Sequence, residues 1–317
     1  MNLNEIHVPV MLERCIELLG PALEAPGAVL VDATLGMGGH TEAFLERFPE
    51  LTVIGLDRDT QALGIARERL ARFGDRVHYV HTIYDGLLAA LVAEGLTEVS
   101  GILFDLGVSS LQLDEAERGF AYAQDAPLDM RMDASTGMTA ADIIATYSEA
   151  DLRRIFERYG EEKLSARYAA HIVKARTQAP ILRSQQLVDI LQAATPAAIS
   201  KQGHPAKRVF QALRIEVNDE MGALETAIPD AVTALRVGGR IVVLAYQSLE
   251  DRLVKRVFTA AASATAPPDV PVVPEHHKPI LQLLTRGAER ASDDEKLRNP
   301  RSIPVRLRAA EKVRAAA

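Results

Sequence analysis

Apolar residues fall along this chain in short runs, separated at first by amphipathic stretches of helical spacing. Ala28-Val-Leu-Val31, Thr52-Val-Ile-Gly-Leu56, Val77-His-Tyr-Val80 and Gly101-Ile-Leu-Phe104 are four or five residues long. That is the pattern of strands buried on both faces. Between them, Ala62, Leu63, Ala66 and Leu70 recur at helical spacing within 59–73, with Asp59 or Thr60 placed to cap that helix. Leu87 to Leu96 reads as a further helix. Strand and helix in alternation predict a doubly wound parallel α/β sheet. Three of the strands run into an acid, at Asp32, Asp57 and Asp105. In open parallel sheets ligands bind beyond the carboxyl ends of strands, so three acids are expected to converge at one edge.

The rhythm changes from about Leu113 to Asn218. Asp142 to Tyr159, Ser165 to Arg176, Ser184 to Ala194 and Pro205 to Asn218 read as helices, with no clear strand among them. Strand character returns at Arg240 to Ala245, after a turn at Val237-Gly-Gly239. A helix follows at Leu249 to Ala262, and two late strands are expected at Ile280 to Thr285 and Ser302 to Leu307. Ala266 to Pro279 is a Pro-rich connection, too broken for a helix. The predicted organisation is an α/β domain in two parts, 1–112 and 219–317, interrupted by a helical insertion over 113–218 and ending in a basic C-terminal arm.

The richest chemistry lies at the first strand end, Asp32-Ala-Thr-Leu-Gly-Met-Gly-Gly-His40. Glycines let a backbone approach a ligand, and the N–H groups of a helix start point at it. Asp57 follows about 20 residues after the first glycine, the usual distance for an acid that holds ribose hydroxyls. The loop does not complete G-x-G-x-x-G, because Thr41 stands at the sixth position. A pyrophosphate-binding dehydrogenase needs that third glycine for close helix–strand packing. Acids around a glycine loop suit a cofactor without phosphates, and S-adenosylmethionine (SAM), with a cationic sulfonium and an amino-acid group, fits.

Asp105-Leu-Gly-Val-Ser-Ser-Leu-Gln-Leu-Asp114 opens the fourth strand's loop. In methyltransferases of exocyclic amines this corner holds the target nitrogen. Such an amine is a poor nucleophile because its lone pair is delocalised, and a carboxylate accepting its N–H bonds raises its electron density and orients it. Tyr84 is placed to set its ring against adenine or near the sulfonium. Tyr246-Gln-Ser-Leu-Glu-Asp-Arg252 follows the fifth strand as a pocket wall, with Ser248 and Asp251 spaced as a helix start. Arg118-Gly-Phe120 and Pro127-Leu-Asp-Met-Arg-Met-Asp133 read as a further pocket wall or substrate gate.

Composition narrows the classes. The 317 residues are 48% hydrophobic and 25% charged, an ordinary soluble composition with no apolar run of membrane-spanning length and no signal-peptide pattern. One cysteine, Cys15, excludes an internal disulfide framework and a multi-cysteine zinc site, and suits a reducing cytoplasm. A net charge of −7 argues against indiscriminate nucleic-acid coating, although basic residues cluster twice. One cluster holds Arg153, Arg154, Arg158, Lys163, Arg167, Lys174, Arg176 and Arg183, joined by Lys201, Lys207, Arg208 and Arg214. The other holds Lys296, Arg298, Arg301, Arg306, Arg308, Lys312 and Arg314. Both offer phosphate contacts. His276-His277 lacks a nearby acid or cysteine set and reads as loop surface, so no metal is expected.

These motifs in this order resemble the MraW (RsmH) family, SAM-dependent N4-cytosine methyltransferases of small-subunit ribosomal RNA. The resemblance runs from His7-Val-Pro-Val10 through the segments above to Tyr159-Gly-Glu-Glu162, His204-Pro-Ala206, Phe210-Gln-Ala-Leu-Arg-Ile215 and Ser248-Leu-Glu-Asp-Arg252. It implies a class I, Rossmann-like methyltransferase sheet with an all-helical insertion, and a cytidine of 16S rRNA in the decoding region as substrate. It places Gly38, Gly39, His40, Asp57, Tyr84, Asp105 and Gln112 around SAM, with Asp105 also the catalytic candidate. Family members often have Phe-His where this chain has Tyr246-Gln247, and Phe in place of Tyr84, so no catalytic role is assigned to Gln247. Leu35 and Met37 also stand where Phe and Arg are common. Other classes stay open on the residues alone: an RNA-binding assembly factor without catalysis, a methyltransferase of DNA or a small-molecule amine, and an NAD-dependent oxidoreductase.

Overall fold

The structure, a computed structural model, describes residues 9–197, 203–265 and 274–315. In chain order its elements are α1 (Leu12–Leu23), β1 (Val29–Asp32), α2 (Gly39–Arg47), β2 (Thr52–Asp57), α3 (Thr60–Leu70), β3 (Val77–His81), α4 (Leu87–Ala93), β4 (Val99–Asp105), α5 (Ser110–Asp114), α6 (Ala140–Thr146), α7 (Glu149–Arg158), α8 (Ser165–Arg176), α9 (Ser184–Ala194), α10 (Ala206–Asn218), α11 (Glu220–Ala234), β5 (Leu235–Ala245), α12 (Ser248–Ala261), β6 (Leu281–Leu283), α13 (Asp293–Arg298) and β7 (Arg306–Lys312). They fall into two compact units, Met1–Gly107 with Met221–Ala317, and Val108–Glu220. Among the described residues no helix is long and apolar enough to cross a membrane.

The first unit is built on a seven-stranded sheet of order β3-β2-β1-β4-β5-β7-β6. β1 to β5 are parallel, and β7 runs antiparallel to both β5 and β6. Parallel pairing needs crossovers, and α2, α3 and α4 make the first three. The central strands are mostly apolar inside, with Leu30, Val53, Ile102, Leu103 and Val242 fully buried. The predicted cap at Asp59 is present: its carboxylate accepts from the Gln61 and Ala62 N–H groups. β1 starts the switch point, with β2 on one side and β4 on the other, so the ends of these three strands carry Asp32, Asp57 and Asp105 to one edge.

Several sequence expectations are corrected here. β5 begins at Leu235, and Val237-Gly-Gly239 lies inside it as an irregularity in pairing, with Gly238 at φ +81°. The last strand starts at Arg306 rather than Ser302, because Pro300–Ser302 forms a short 3-10 turn. The first late strand covers only Leu281–Leu283 of Ile280 to Thr285. The basic C-terminal stretch is therefore no free arm: Lys296 and Arg298 lie in α13, Arg301 in the 3-10 turn, and Arg306, Arg308 and Lys312 in β7, whose Leu307 and Ala309 are fully buried. Three unpredicted helices, α1, α11 and α13, complete the unit. α1 is tied to the sheet by Arg240 and Arg236, which donate to the Leu18 and Ala22 carbonyls at 2.8 and 3.0 Å. α11 contains Pro229, which masked its pattern in the sequence. Of the Pro-rich stretch Ala266 to Pro279, 266–273 lie outside the described residues, as do His7 and Lys201.

The second unit is helical, with a core of Ile143, Leu152, Phe156, Tyr168, Ile172, Leu187, Leu191, Phe210 and Leu213. The expected single helix from Asp142 to Tyr159 is two, because Ser148 caps a new start by accepting from the Asp151 N–H. The loop expected as a gate is instead firmly tied. Gly119, at φ +74°, lies so close to the Pro127 carbonyl that a Cβ would sit 2.2 Å from it. Buried Asn218 accepts from the Met132 N–H at 2.8 Å and donates to the carbonyls of Met130 and Arg214 at 2.8 and 2.9 Å. Asn218→Ala leaves three buried backbone groups without that partner. We expect it to destabilise this unit by about 2–4 kcal/mol, read as a lower denaturation midpoint; an unchanged midpoint would refute the role of this knot.

Candidate active site

β1 delivers Asp32, 1% exposed, to the start of the glycine loop. Its carboxylate accepts from the Thr34 N–H at 3.2 Å and the Thr41 hydroxyl at 2.7 Å, joining the strand end to the first turn of α2. Burial pushes its pKa up, while His40 and these donors oppose the rise. Asp32 is thus engaged within the loop itself. Between its two ends the chain turns through Gly36 at φ +53° and Gly38 at φ +80°, the left-handed region that glycine adopts without strain. Gly38 is also close-packed: a Cβ there would meet Leu70 Cδ1 at 2.9 Å. A Cβ on Gly36 would find nothing nearer than the Thr34 carbonyl at 3.9 Å, so the loop is open on that side. Gly39 opens α2 against Pro9.

Asp57 reaches back from β2 to the same loop. Its two carboxylate oxygens accept from the Gly36 N–H at 2.7 Å and the Asp59 N–H at 2.8 Å. Burial, reinforced by Asp59 and Asp32, moves its pKa up to about 6 against those hydrogen bonds. Each oxygen retains lone-pair capacity for a further donor. Tyr84, in the turn after β3, is half-buried and meets Phe104 edge-on, ring centroids 5.9 Å apart.

β4 brings in Asp105, whose backbone N–H donates to Thr34 Oγ1 at 2.7 Å. Its side chain lies between two partners. The Tyr246 hydroxyl donates to Asp105 Oδ1 at 2.6 Å, and His40 Nδ1 stands 3.7 Å from Asp105 Oδ2. His40 Nε2 lies 3.0 Å from the Val10 carbonyl, which only accepts, so Nε2 carries a proton. Burial and the Asp105 carboxylate raise the Tyr246 pKa well above the ordinary phenol value, so the hydroxyl keeps its proton and remains a donor. Burial raises the Cys15 thiol in the same way.

Thr34 and the Tyr246 hydroxyl carry the geometry of Asp105, yet sequence reasoning gave Thr34 no role and Tyr246 only a place in a pocket wall. The available signal was position, Thr34 inside the glycine motif and Tyr246 directly after β5. The predicted cap of α12 also shifts by one residue: Gln247 is the cap, and Glu250 accepts from the Tyr246 and Gln247 N–H groups at 2.8 and 3.1 Å. Asp251 instead receives Arg308 at 2.7 Å. Gln247 Oε1 is buried and has no hydrogen-bond partner among the described residues. Gln112, expected at the cofactor, lies in the second unit. Its amide oxygen accepts from the Ser109 N–H at 3.0 Å in a capping box at the start of α5.

Asp32, Asp57 and Asp105 have no lysine or arginine ion-pair partner among the described residues, and Asp105 faces His40 at 3.7 Å besides the Tyr246 hydroxyl. An edge with three carboxylates, an open glycine turn and an orphaned amide acceptor suits a ligand rich in N–H and O–H donors and positive charge. It is poorly suited to a pyrophosphate, which needs cations and free N–H groups.

The profile of the MraW methylase family matches residues 4–313. The chain is 66% identical over 312 residues to a protein of Leifsonia xyli subsp. xyli named ribosomal RNA small subunit methyltransferase H, covering 98% of this chain and 96% of that one. It is 62% identical over 314 residues to a protein of the same name from Clavibacter sepedonicus, covering 99% of each. Among solved structures, an rRNA methylase from Streptococcus thermophilus aligns over 97% of this chain and 99% of that one at 13% identity, with a TM-score of 0.42.

Proposed function

The chain belongs to the MraW methylase family, and from that premise we propose that it is a SAM-dependent methyltransferase of small-subunit ribosomal RNA acting on N4 of a cytidine. Identity of 66% and 62% along nearly the whole chain to proteins named for that activity supports the substrate class. The single structural observation that carries the chemistry is Asp105, held by Tyr246 and Thr34 at the carboxyl edge of the sheet beside the glycine loop.

The residues present fit SAM. Gly38, Gly39 and His40 form the loop that receives it, Asp57 accepts from the ribose hydroxyls, and Tyr84 offers a ring to the adenine. Bound SAM supplies the electrophilic methyl group for direct in-line transfer. Asp105 accepts an N–H bond from the exocyclic amine, raising electron density on nitrogen and fixing its direction of attack. Tyr246 and Thr34 hold that carboxylate's orientation before substrate arrives. The cytosine leaves its stack to reach the edge. The RNA partner is 16S rRNA, met within the small subunit in the cytoplasm, and the helical unit recognises it.

Asp57 also makes SAM affinity pH-dependent. The carboxylate is the better acceptor of ribose O–H groups, and protonation below about pH 6 replaces acceptor capacity by a donor. Affinity is expected to be level above pH 7 and to fall roughly tenfold by pH 5, measured by calorimetry. The same raised pKa means that Asp57 favours the ligand-free fold at low pH and loses that contribution as pH rises through 6. An affinity flat from pH 5 to 7 would remove Asp57 from the ribose site.

Labelled SAM incubated with undermethylated small subunits, followed by nucleoside mass spectrometry, tests the whole reading. N4-methylcytidine is the expected product. Absence of label on subunits and on free rRNA, with SAM still bound, would overturn it.

A further inference from the structure

The basic cluster of the helical unit divides sharply once partners are known. Arg153 pairs with Glu157, Arg154 with Asp151, Arg183 with Asp125 and Arg214 with Glu220, all at 2.7 to 2.8 Å. Arg176 donates to the Ile144 and Tyr147 carbonyls and Arg208 to the Glu161 carbonyl. These cations complete the fold of their own unit. Arg158 lies 5.2 Å from the Tyr159 ring centroid. Lys207 on α10 is exposed and has no ion-pair partner among the described residues, and so it is with three cations at α8, Lys163, Arg167 and Lys174. All three are exposed, and none has an ion-pair partner among the described residues.

They also share one face. α8 buries Ser165, Tyr168, Ala169 and Ile172 against the unit's core. At about 100° per residue, Arg167, His171 and Lys174 form a stripe on the opposite side, spanning roughly 10 Å along the axis, and Lys163 lies in the turn that leads into the helix. His171 donates from Nδ1 to the Arg167 carbonyl at 2.8 Å, which turns Nε2 outward within the stripe. No acid interrupts it, since residues 163–188 contain no Asp or Glu in a chain that has 43. Of the acids that flank this span, Glu157 is engaged with Arg153 and Ser165, Glu162 with the Leu164 N–H and Asp189 with the Gln185 amide, while Glu161 stands two residues before Lys163.

We infer that this face of α8 is a phosphate track, which binds the sugar–phosphate backbone of the RNA substrate without reading its sequence. A row of unpaired cations on an otherwise acidic protein is complementary to one polyanion at short range while the net charge of −7 keeps the rest of the surface unattractive to it. The inference rests on RNA being the substrate, and the experiment separates the two.

Lys163→Ala/Arg167→Ala/Lys174→Ala is compared with wild type and with Arg153→Ala/Arg154→Ala, which removes the same kind of charge from paired positions. Binding to in vitro transcribed 16S rRNA is titrated from about 50 to 200 mM salt. The triple variant is expected to bind roughly 10–100-fold more weakly near 100 mM salt, with a salt slope smaller by about 2, at unchanged SAM affinity and melting temperature. The control is expected to keep the wild-type slope. A triple variant with the wild-type slope, or a control that loses as much, would overturn the track while wild-type methylation of rRNA keeps the substrate reading. Intact RNA binding with lost binding to phosphatidylglycerol vesicles would also overturn it, in favour of a lipid surface. A wild-type protein that neither binds nor methylates rRNA would overturn both.

Discussion

Asp105→Asn is expected to slow methyl transfer by roughly 10²–10³-fold in single turnover while SAM affinity falls only severalfold. The substitution keeps the shape of the side chain and the backbone bond to Thr34 Oγ1, so the strand end is preserved. It removes the charge that strengthens the acceptor and places an amide in an environment that has a donor in Tyr246 on one oxygen and His40 near the other. If the amide nitrogen turns toward Tyr246, two donors face each other; if it turns the other way, the target amine meets a donor in place of an acceptor. Either arrangement weakens the orientation of the amine, which is where most of the barrier reduction arises. The check is a rapid-quench measurement with labelled SAM at saturating rRNA. A wild-type single-turnover rate would remove Asp105 from the chemistry and leave it as a wall of the cofactor site.

Asp57→Ala is expected to weaken SAM binding by about 1.5–3 kcal/mol, or roughly 10–150-fold in Kd. Two losses contribute. The ribose hydroxyls lose a charged acceptor, and the Gly36 and Asp59 N–H groups lose the carboxylate that ties the glycine loop to β2. Asp57→Asn separates them, since an amide oxygen still accepts one of those N–H bonds; it should recover part of the affinity and abolish the pH dependence between 5 and 7. Calorimetry on both variants reads the result, and unchanged affinity in Asp57→Ala would refute the ribose assignment.

The strand ends were legible because a parallel strand buried on both faces must be apolar along its length, so the first acid marks its exit from the sheet. Asp32, Asp57 and Asp105 were all found this way. Helices with one clean apolar stripe, such as α8, α9 and α10, were read to within a residue. Where composition blurred the stripe the reading failed: α11 carries Pro229, and the apolar period ran on through Ser148 and hid the break between α6 and α7. Charge was the least legible property. Most of the arginines that suggested a broad RNA surface are tied to acids or carbonyls, some within a helical turn and others far along the chain, and Arg306 and Arg308 both face Asp251.

By itself the sequence determined the α/β class, the helical interruption, the glycine turn and the three strand-end acids. Those are local consequences of side-chain size, burial period and backbone freedom. Only the tertiary structure decided which acid serves which task. Asp32 is enclosed with Thr41, Asp57 clamps Gly36, and Asp105 meets a tyrosine 141 positions further along the chain. Hydrogen bonds and ion pairs depend on distances of about 3 Å between atoms that the chain brings together from afar. No local pattern encodes that proximity, and so the same folding that set Asp105 against Tyr246 also left Lys163, Arg167 and Lys174 without ion-pair partners among the described residues.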